Sequence, residues 1–288
     1  EVVCVHEKRK HRQLTLSTPS QLDRVGADFC LFHKWPDITE ISHLKTPKCF
    51  WYFDMIRSIE SDPTLEERSR SRVQWMKDVI PHCRACFYTD GEWVLDMPHP
   101  HHPQTAKHYH LMQGADERYV GFGESLGEGE VSPLLFTGMV NHGQRRAQHI
   151  AELRERYQER FMILGDGGPN YRKHGRALAA LFATTKIVIA PDGPATDRYW
   201  SNRVYLTLGL GGFLLHPYCA GLAQQYGPSE LTMYKSRAEL NMLIDHYLNP
   251  EHEFYRQVLR VNGLEATKNR HLYRHRCAEL VATMENLL

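Results

Sequence analysis

The sequence predicts an α/β protein made of two Rossmann-like halves, and three observations carry the prediction. Short apolar runs alternate with longer stretches of helical periodicity, the rhythm of βαβ units on parallel sheets. That rhythm breaks in GADERYVGFGESLGEGEVSP, residues 114–133, and restarts after it. The chain has 288 residues, 42% of them apolar, which is enough to bury one large core or two smaller ones.

Taken in order, the first half offers strands at Val2–Val5, Phe29–Phe32, Cys49–Phe53, Ala85–Tyr88 and Tyr109–Leu111, with a helix over Glu66–Ile80. These runs are apolar without alternation, as expected of strands buried on both faces. Residues 114–133 are rich in Gly and acid and poor in large apolar groups, so they read as a linker. The linker divides the chain into domains at 1–125 and 126–288. The second half opens with PLLFTGMV, a strand ending in Gly138. Arg145–Arg160 has helical spacing, with Ile150, Leu153 and Tyr157 on one face. FMILGDGG is a strand into a turn, Gly175–Thr184 a helix, and KIVIAPDG another strand into a turn. FLLHP is the strand that follows YWSNRVYLTLGLGG, and Arg237–Leu248, Glu251–Gly263 and His271–Leu287 are helical.

Composition narrows the class. The formal net charge is +1, split between residues 1–130 (16 Lys/Arg, 20 Asp/Glu, net −4) and 131–288 (19 and 14, net +5). The asymmetry points an anionic ligand to the second half, although drift of surface charge would produce it too. The seven cysteines are odd in number and scattered, unlike a disulfide framework, so a reducing, cytoplasmic setting is expected. No apolar run reaches the ~18 residues of a membrane span. In EVVCVHEKRK the apolar residues precede the charges, which does not fit a signal peptide. The start on Glu1 rather than Met predicts a trimmed or processed end.

The stretch from Tyr199 to Pro217, YWSNRVYLTLGLGGFLLHP, is the first candidate site. Ligands of open α/β sheets bind where strands end and helices begin, and a helix N-terminus suits a phosphate. Ser201 or Asn202 is placed to cap the helix, Arg203 adds a cation one step inside it, and Asp192, Gly193 and Pro194 form the loop that feeds it. Gly211 and Gly212 allow a tight turn into FLLHP. An ordinary capped helix accounts for the same residues.

Tyr199–Leu215, the following GLAQQYGPSELTMYKSRAELNMLIDHYLNPEHEFYRQVLRVNG and the closing HLYRHRCAEL resemble, in their order, the C-terminal half of GT-B glycosyltransferases. The group-1 and spore-maturation (CgeB-type) branch is the most similar. The resemblance covers about residues 131–285, and more weakly 27–120 through PKCFWYFD, ACFYTDG and YHLMQGAD. It implies two Rossmann-like domains facing a cleft, a nucleotide-sugar donor held mainly by the second, an acceptor by the first, and transfer without a metal or other cofactor. The chain contains no Asp-x-Asp. Cations must then neutralise the leaving diphosphate, and Arg145, Arg146 and Arg203 are the candidates, with Asn141, His142 and Gly143 as the loop after the first strand of the second half. Gly138, Asp166, Asp192, Gly193, Tyr199, Ser201 and Asn202 complete the expected donor side. A solvated helix face is the alternative for Arg145 and Arg146. The sequence departs from the group-1 pattern at Leu206, where that family carries a Glu that grips the donor's ribose, so the ribose contact is unassigned.

On the acceptor side, Asp54 follows the apolar strand in WYFDMIR, Asp90 ends ACFYTD, and His33 lies in LFHKWPD. Asp54 could act as base on an acceptor hydroxyl, as inverting chemistry requires, or cap the next helix. The resemblance implies retaining chemistry, which needs no separate base. Asp90 also fits a turn. CRAC, residues 83–86, could bind zinc together with histidines of MPHPHHP, His108 or His110. A strand follows Cys86, so two buried thiols and an exposed His-Pro loop are expected instead. Basic clusters at 7–12 and 68–72 would suit DNA, and phage enzymes that glycosylate hydroxymethylated bases give the favoured acceptor, ahead of a glycan or small molecule. Two solvated basic faces explain the clusters equally well. The rival functions are a nucleotide-sugar epimerase or hydrolase on this fold, which would release free sugar or an epimer without acceptor, and a non-catalytic nucleic-acid-binding protein, which would bind DNA with a steep salt slope and no nucleotide.

Overall fold

A computed structural model of the chain describes residues 23–24, 26–33, 42–56, 63–96, 106–122, 132–140, 144–165, 175–191 and 196–288. It divides into two units, one of Glu1–Arg57, Glu66–Leu111 and Leu280–Leu288, the other of Ser58–Leu65 and Met112–Glu279. No helix among the described residues is long and apolar enough to cross a membrane. The expected strand at Val2–Val5 lies outside the described residues.

The first unit carries a parallel sheet in the order β1 (Cys30–His33), β2 (Lys48–Tyr52), β3 (Ala85–Tyr88), β4 (Lys107–His110). Every residue of β2 and β3 is buried, which explains their unbroken apolar character, while the flanking strands are only partly covered. Helix α1 (Pro63–Val79) opens on proline, which loses nothing there because the first N–H of a helix has no partner. Its Met76 and Val79 pack with Phe50, Tyr52, Cys86 and Tyr88. A further helix, α2 (Gly91–Asp96), is too short for sequence periodicity to reveal.

The second unit is a doubly wound sheet. Its strands are β5 (Ser132–Thr137), β6 (Phe161–Leu164), β7 (Thr185–Ile189), β8 (Leu214–Pro217) and β9 (Thr232–Tyr234), all parallel in the order β6-β5-β7-β8-β9. The helices are α3 (Gln144–Tyr157), α4 (Arg176–Ala183), α5 (Arg203–Gly209), α6 (Ala220–Gln225), α7 (Arg237–Leu248), α8 (Glu253–Arg270) and α9 (Tyr273–Glu285). Strand residues alternate between two cores. Leu135, Val188 and Leu214 pack with Phe182, Val204 and Leu208, whereas Leu134, Phe136, Ile187 and Leu215 pack with Ile150, Leu153, Leu240 and Ile244. The chain winds from β5 out to β6 and then back to β7 on the other side of β5. The topological switch point therefore lies between the C-terminal ends of β5 and β7.

Three expectations are corrected. Of the expected linker at 114–133, Gly114–Phe122 is not linker: Ala115 pairs with Leu272 through Ala115 N–H to His271 O (2.8 Å) and Tyr273 N–H to Ala115 O (3.0 Å), and Tyr119, Val120 and Phe122 pack on the core. Its small residues serve close packing, and one boundary between the two units falls at Leu111/Met112. Residues 123–131 lie outside the described ones. Gly263 does not end its helix, which continues to Arg270; a Cβ there would stand 2.6 Å from the Glu230 carbonyl oxygen. The last helix starts at Tyr273 rather than His271, because His271 and Leu272 are taken up in the pairing with Ala115.

A buried polar network joins this last helix to α5. Arg276 donates from Nε to Gln113 O (3.2 Å) and from Nη2 to His271 Nδ1 (2.9 Å), and its guanidinium lies over the Tyr205 ring. Tyr205 Oη accepts from Trp200 Nε1 (3.0 Å) and donates to Gln225 Oε1 (2.8 Å). His271 must therefore carry its proton on Nε2, facing Gln225 O at 3.3 Å.

Two predictions follow from this packing. Gly263→Ala should raise helix propensity yet lower stability by about 1–3 kcal/mol through overpacking against Glu230, seen as a reduced Tm; a raised Tm would refute the close approach. Burial, helped by the charge of Arg276, lowers His271 from 6.5 to about 4. Between those values only the unfolded chain takes the proton, so this contribution to stability is complete above about pH 6.5 and is lost as pH falls toward 4. Tm measured against pH should decline less steeply through that window in His271→Asn than in the wild type.

Candidate functional site

The C-terminal edge of the second unit's sheet gathers around Arg203, the first residue of α5. Its Nε donates to the Thr137 carbonyl at the end of β5 (2.9 Å), and its guanidinium lies 5.1 Å from the centre of the Phe136 ring. Room for it comes from Gly138, at φ +135°, where a Cβ would stand 2.5 Å from Arg203 Nη2. Gly165, after β6, sits so close that its Cβ would overlap the Gly138 carbonyl oxygen. Gly138 N–H in turn donates to Leu164 O (2.8 Å). The guanidinium thus occupies the switch point. Among the described residues, Thr137 O is its one hydrogen-bond partner and no carboxylate pairs with it.

Burial and the positive charge of Arg146 lower Arg203 to about 10, while Tyr234 and Tyr199 act the other way. It stays a cation at neutral pH. A buried cation beside a second cation is unfavourable unless an anion completes the site. Arg146 is 5% exposed and donates to Met139 O (3.3 Å). Arg145 points the other way: it is exposed, and its carbonyl accepts from Arg237 (3.1 Å). The expected arginine pair is therefore split: about 100° apart around the helix, one is buried and the other exposed.

The helix start differs from expectation. Asn202 holds the N-cap position but its side chain makes no cap bond, and Ser201 offers its carbonyl to Val204 N–H (3.4 Å) rather than its hydroxyl. The positive character of the site is the guanidinium's own, since α5 makes only about two turns. At the other end the two glycines close the helix. Gly211, at φ +80°, donates to Leu208 O (3.0 Å) and Gly212 to Thr207 O (2.8 Å), the paired bonds of a Schellman motif. Tyr199 is buried and pairs with Thr196 through the backbone. Leu206 lines an apolar cavity with Ala115, Tyr119, Val120, Leu178 and Leu210, where a carboxylate would find little to bond. Asn141, His142, Gly143, Asp166, Asp192 and Gly193 lie outside the described residues.

Sequence reasoning missed His216, the next-to-last residue of β8, which is 3% exposed. Its Nδ1 faces Pro217 O at 2.7 Å. Burial first, and Arg203 also, lower it to about 4. A histidine inside FLLHP, an otherwise apolar strand, was the available signal.

In the first unit the expected acceptor-side residues end or follow parallel strands and share one sheet edge. His33 ends β1, with Nδ1 donating to Trp51 O (3.2 Å) and its ring against Phe53. Asp54 lies beyond β2, half-buried, and makes no hydrogen bond among the described residues. Asp90 is different: its carboxylate accepts from Ile56 N–H (2.8 Å) and Trp93 N–H (3.2 Å), capping α2 and pinning the segment after β2. That is the turn role, and it commits both oxygens. Tyr52, between these two acids, is pushed up to about 12, mainly by burial. Cys83 and Cys86 are buried, and burial holds the Cys86 thiol well above its ordinary value. Among the described residues no group of three His, Cys, Asp or Glu could hold a metal, and the histidines of 97–103 lie outside them.

Residues 145–282 match the model of a family described as glycosyl transferase-like. No curated protein matches the chain. Among solved structures, it is similar to sucrose-phosphate synthase from Thermosynechococcus elongatus, with TM-score 0.62 and 11% identity over 93% of this chain and 75% of that one. A glycosyltransferase from Rickettsia africae gives TM-score 0.60 and 8% identity over 93% and 79%. Anabaena HepE in complex with UDP-glucose gives 0.58 and 10% over 93% and 82%. The chain thus shares its fold with these proteins, and residues 145–282 resemble a glycosyl transferase-like family.

Proposed function

We propose that the chain transfers a sugar from a nucleotide-sugar donor to a hydroxyl acceptor, with Arg203 and Arg146 neutralising the leaving diphosphate and no metal required. The observation that carries this reading is Arg203, a buried guanidinium at the switch point with no carboxylate partner among the described residues. As the glycosidic bond breaks, negative charge grows on the departing phosphate. A fixed cation there interacts more strongly with the transition state than with the bound donor. The loops after β5, β6 and β7 leave from the same edge, so Asn141, His142, Gly143, Asp166, Asp192 and Gly193 belong to the proposed donor side with Gly138, Tyr199, Ser201 and Asn202. HepE is described in complex with UDP-glucose, which makes uridine the first base to try.

For the acceptor we propose Asp54 and His33 as the contacting residues. Asp54 keeps a carboxylate with no hydrogen bond among the described residues, whereas Asp90 is committed to backbone. The hydroxymethylated-DNA acceptor rests on two basic clusters. Residues 7–12 lie outside the described ones, and Arg72 of the second donates to Met55 O (2.6 Å). The proposal is therefore a hydroxyl compound, with DNA as one acceptor to screen against glycans and small molecules.

Thermal melting with UDP, GDP, ADP, CDP and TDP, with and without chelator, tests the donor reading. A diphosphate at 100 times its Kd should add ~2.7 kcal/mol to stability, and chelator should leave the shift unchanged. Arg203→Ala should abolish that shift and lower transfer by on the order of 10²-fold. Unchanged turnover in Arg203→Ala would remove its proposed role, and free sugar formed without acceptor would favour a hydrolase.

A further inference from the structure

His216 is a buried polar side chain beside Arg203 that the donor reading leaves unused. Alternation along β8 fixes its direction. Leu214 packs with Val204 and Leu208 of α5, and Leu215 with Leu240 and Ile244 of α7. His216 therefore projects on the α5 side, where the charge of Arg203 reaches it. The tautomer follows from its one hydrogen bond. A carbonyl oxygen only accepts, so Nδ1 carries the proton that faces Pro217 O. The ring is neutral, because burial and the nearby guanidinium oppose a second proton. Nε2 is then a bare lone pair with no hydrogen-bond partner among the described residues.

A lone pair repels phosphate oxygens and accepts from O–H or N–H groups. Arg203, a cation suited to phosphate, starts the helix on the same side of the sheet. An anion-binding group beside a hydroxyl-accepting group matches a glycosyl phosphate, which carries a phosphoryl oxygen next to ring hydroxyls. We propose that His216 Nε2 accepts a hydrogen bond from a hydroxyl of the donor's sugar, making His216 a specificity-determining residue for the sugar rather than for the nucleotide. This rests on the donor reading of the Arg203 site.

The test compares His216→Asn with the wild-type chain. Asn keeps a donor near Pro217 O and removes the group at Nε2; His216→Phe, which keeps ring volume without a lone pair, is the second variant. Affinities are measured for UDP against UDP-glucose, GDP against GDP-mannose, and TDP against TDP-glucose. In the pair that binds, both variants should hold the diphosphate within about twofold of wild type and lose about tenfold for the nucleotide sugar, the size of one hydrogen bond. Equal losses for both ligands, or none for either, would overturn the assignment while leaving the donor reading intact. If the wild-type chain binds none of the six, the donor reading fails and the assignment falls with it. Should neither variant fold, the ¹⁵N resonance of His216 Nε2 in the wild type serves: it should move with the nucleotide sugar and not with the diphosphate, and a resonance indifferent to the sugar would refute the contact.

Discussion

The hydrogen bond from Arg203 Nε to the Thr137 carbonyl, 2.9 Å long, ties together the C-terminal edge of the second unit's sheet. It joins the start of α5 to the end of β5 and fixes a guanidinium where the winding of the sheet reverses. The glycines at 138 and 165 are consequences of that bond. One leaves space for the guanidinium, and the other lets the turn after β6 press against the turn after β5. The cost of burying this cation is not met by an acid among the described residues, so it differs from an ordinary structural ion pair.

Much of the fold was legible because burial on both faces of a parallel strand leaves a short apolar signature. FMIL, KIVI, FLLHP and ACFY were each placed within a residue or two of the observed strands. Four things were not legible. The helix Gly91–Asp96 and the strand Thr232–Tyr234 are too short for periodicity to register. The segment 114–122 looked like linker because its composition is small and polar, yet its backbone pairs with Leu272 through hydrogen bonds that composition does not encode. Gly263 looked like a helix stop, but it is a contact surface for another part of the chain.

The site divides along similar lines. Arg203 could be found because a cation between a polar helix start and an apolar strand is conspicuous in sequence. That Arg145 and Arg146 do not share a face follows from the ~100° step of a helix, but which one turns inward depends on the sheet beneath them. Asp54 and Asp90 look alike in sequence, each closing an apolar run. The structure separates them by the backbone N–H groups that only Asp90 reaches. His216 was hidden because a histidine in an apolar strand reads as filler until its two nitrogens are given separate roles.

The division of the chain also bears on how the protein is made. The first unit takes in residues Glu1–Arg57, Glu66–Leu111 and Leu280–Leu288, so its four strands leave the ribosome long before its last piece. Leu280 and Met284 are buried, and within that unit Arg84 Nη1 donates to Leu287 O. Most of the second unit, Met112–Glu279, lies between these pieces as one continuous stretch and can close while the first waits. During synthesis the order of completion is thus the reverse of the order of appearance, and the early sheet must be kept from pairing with other chains until residue 280 and its successors arrive.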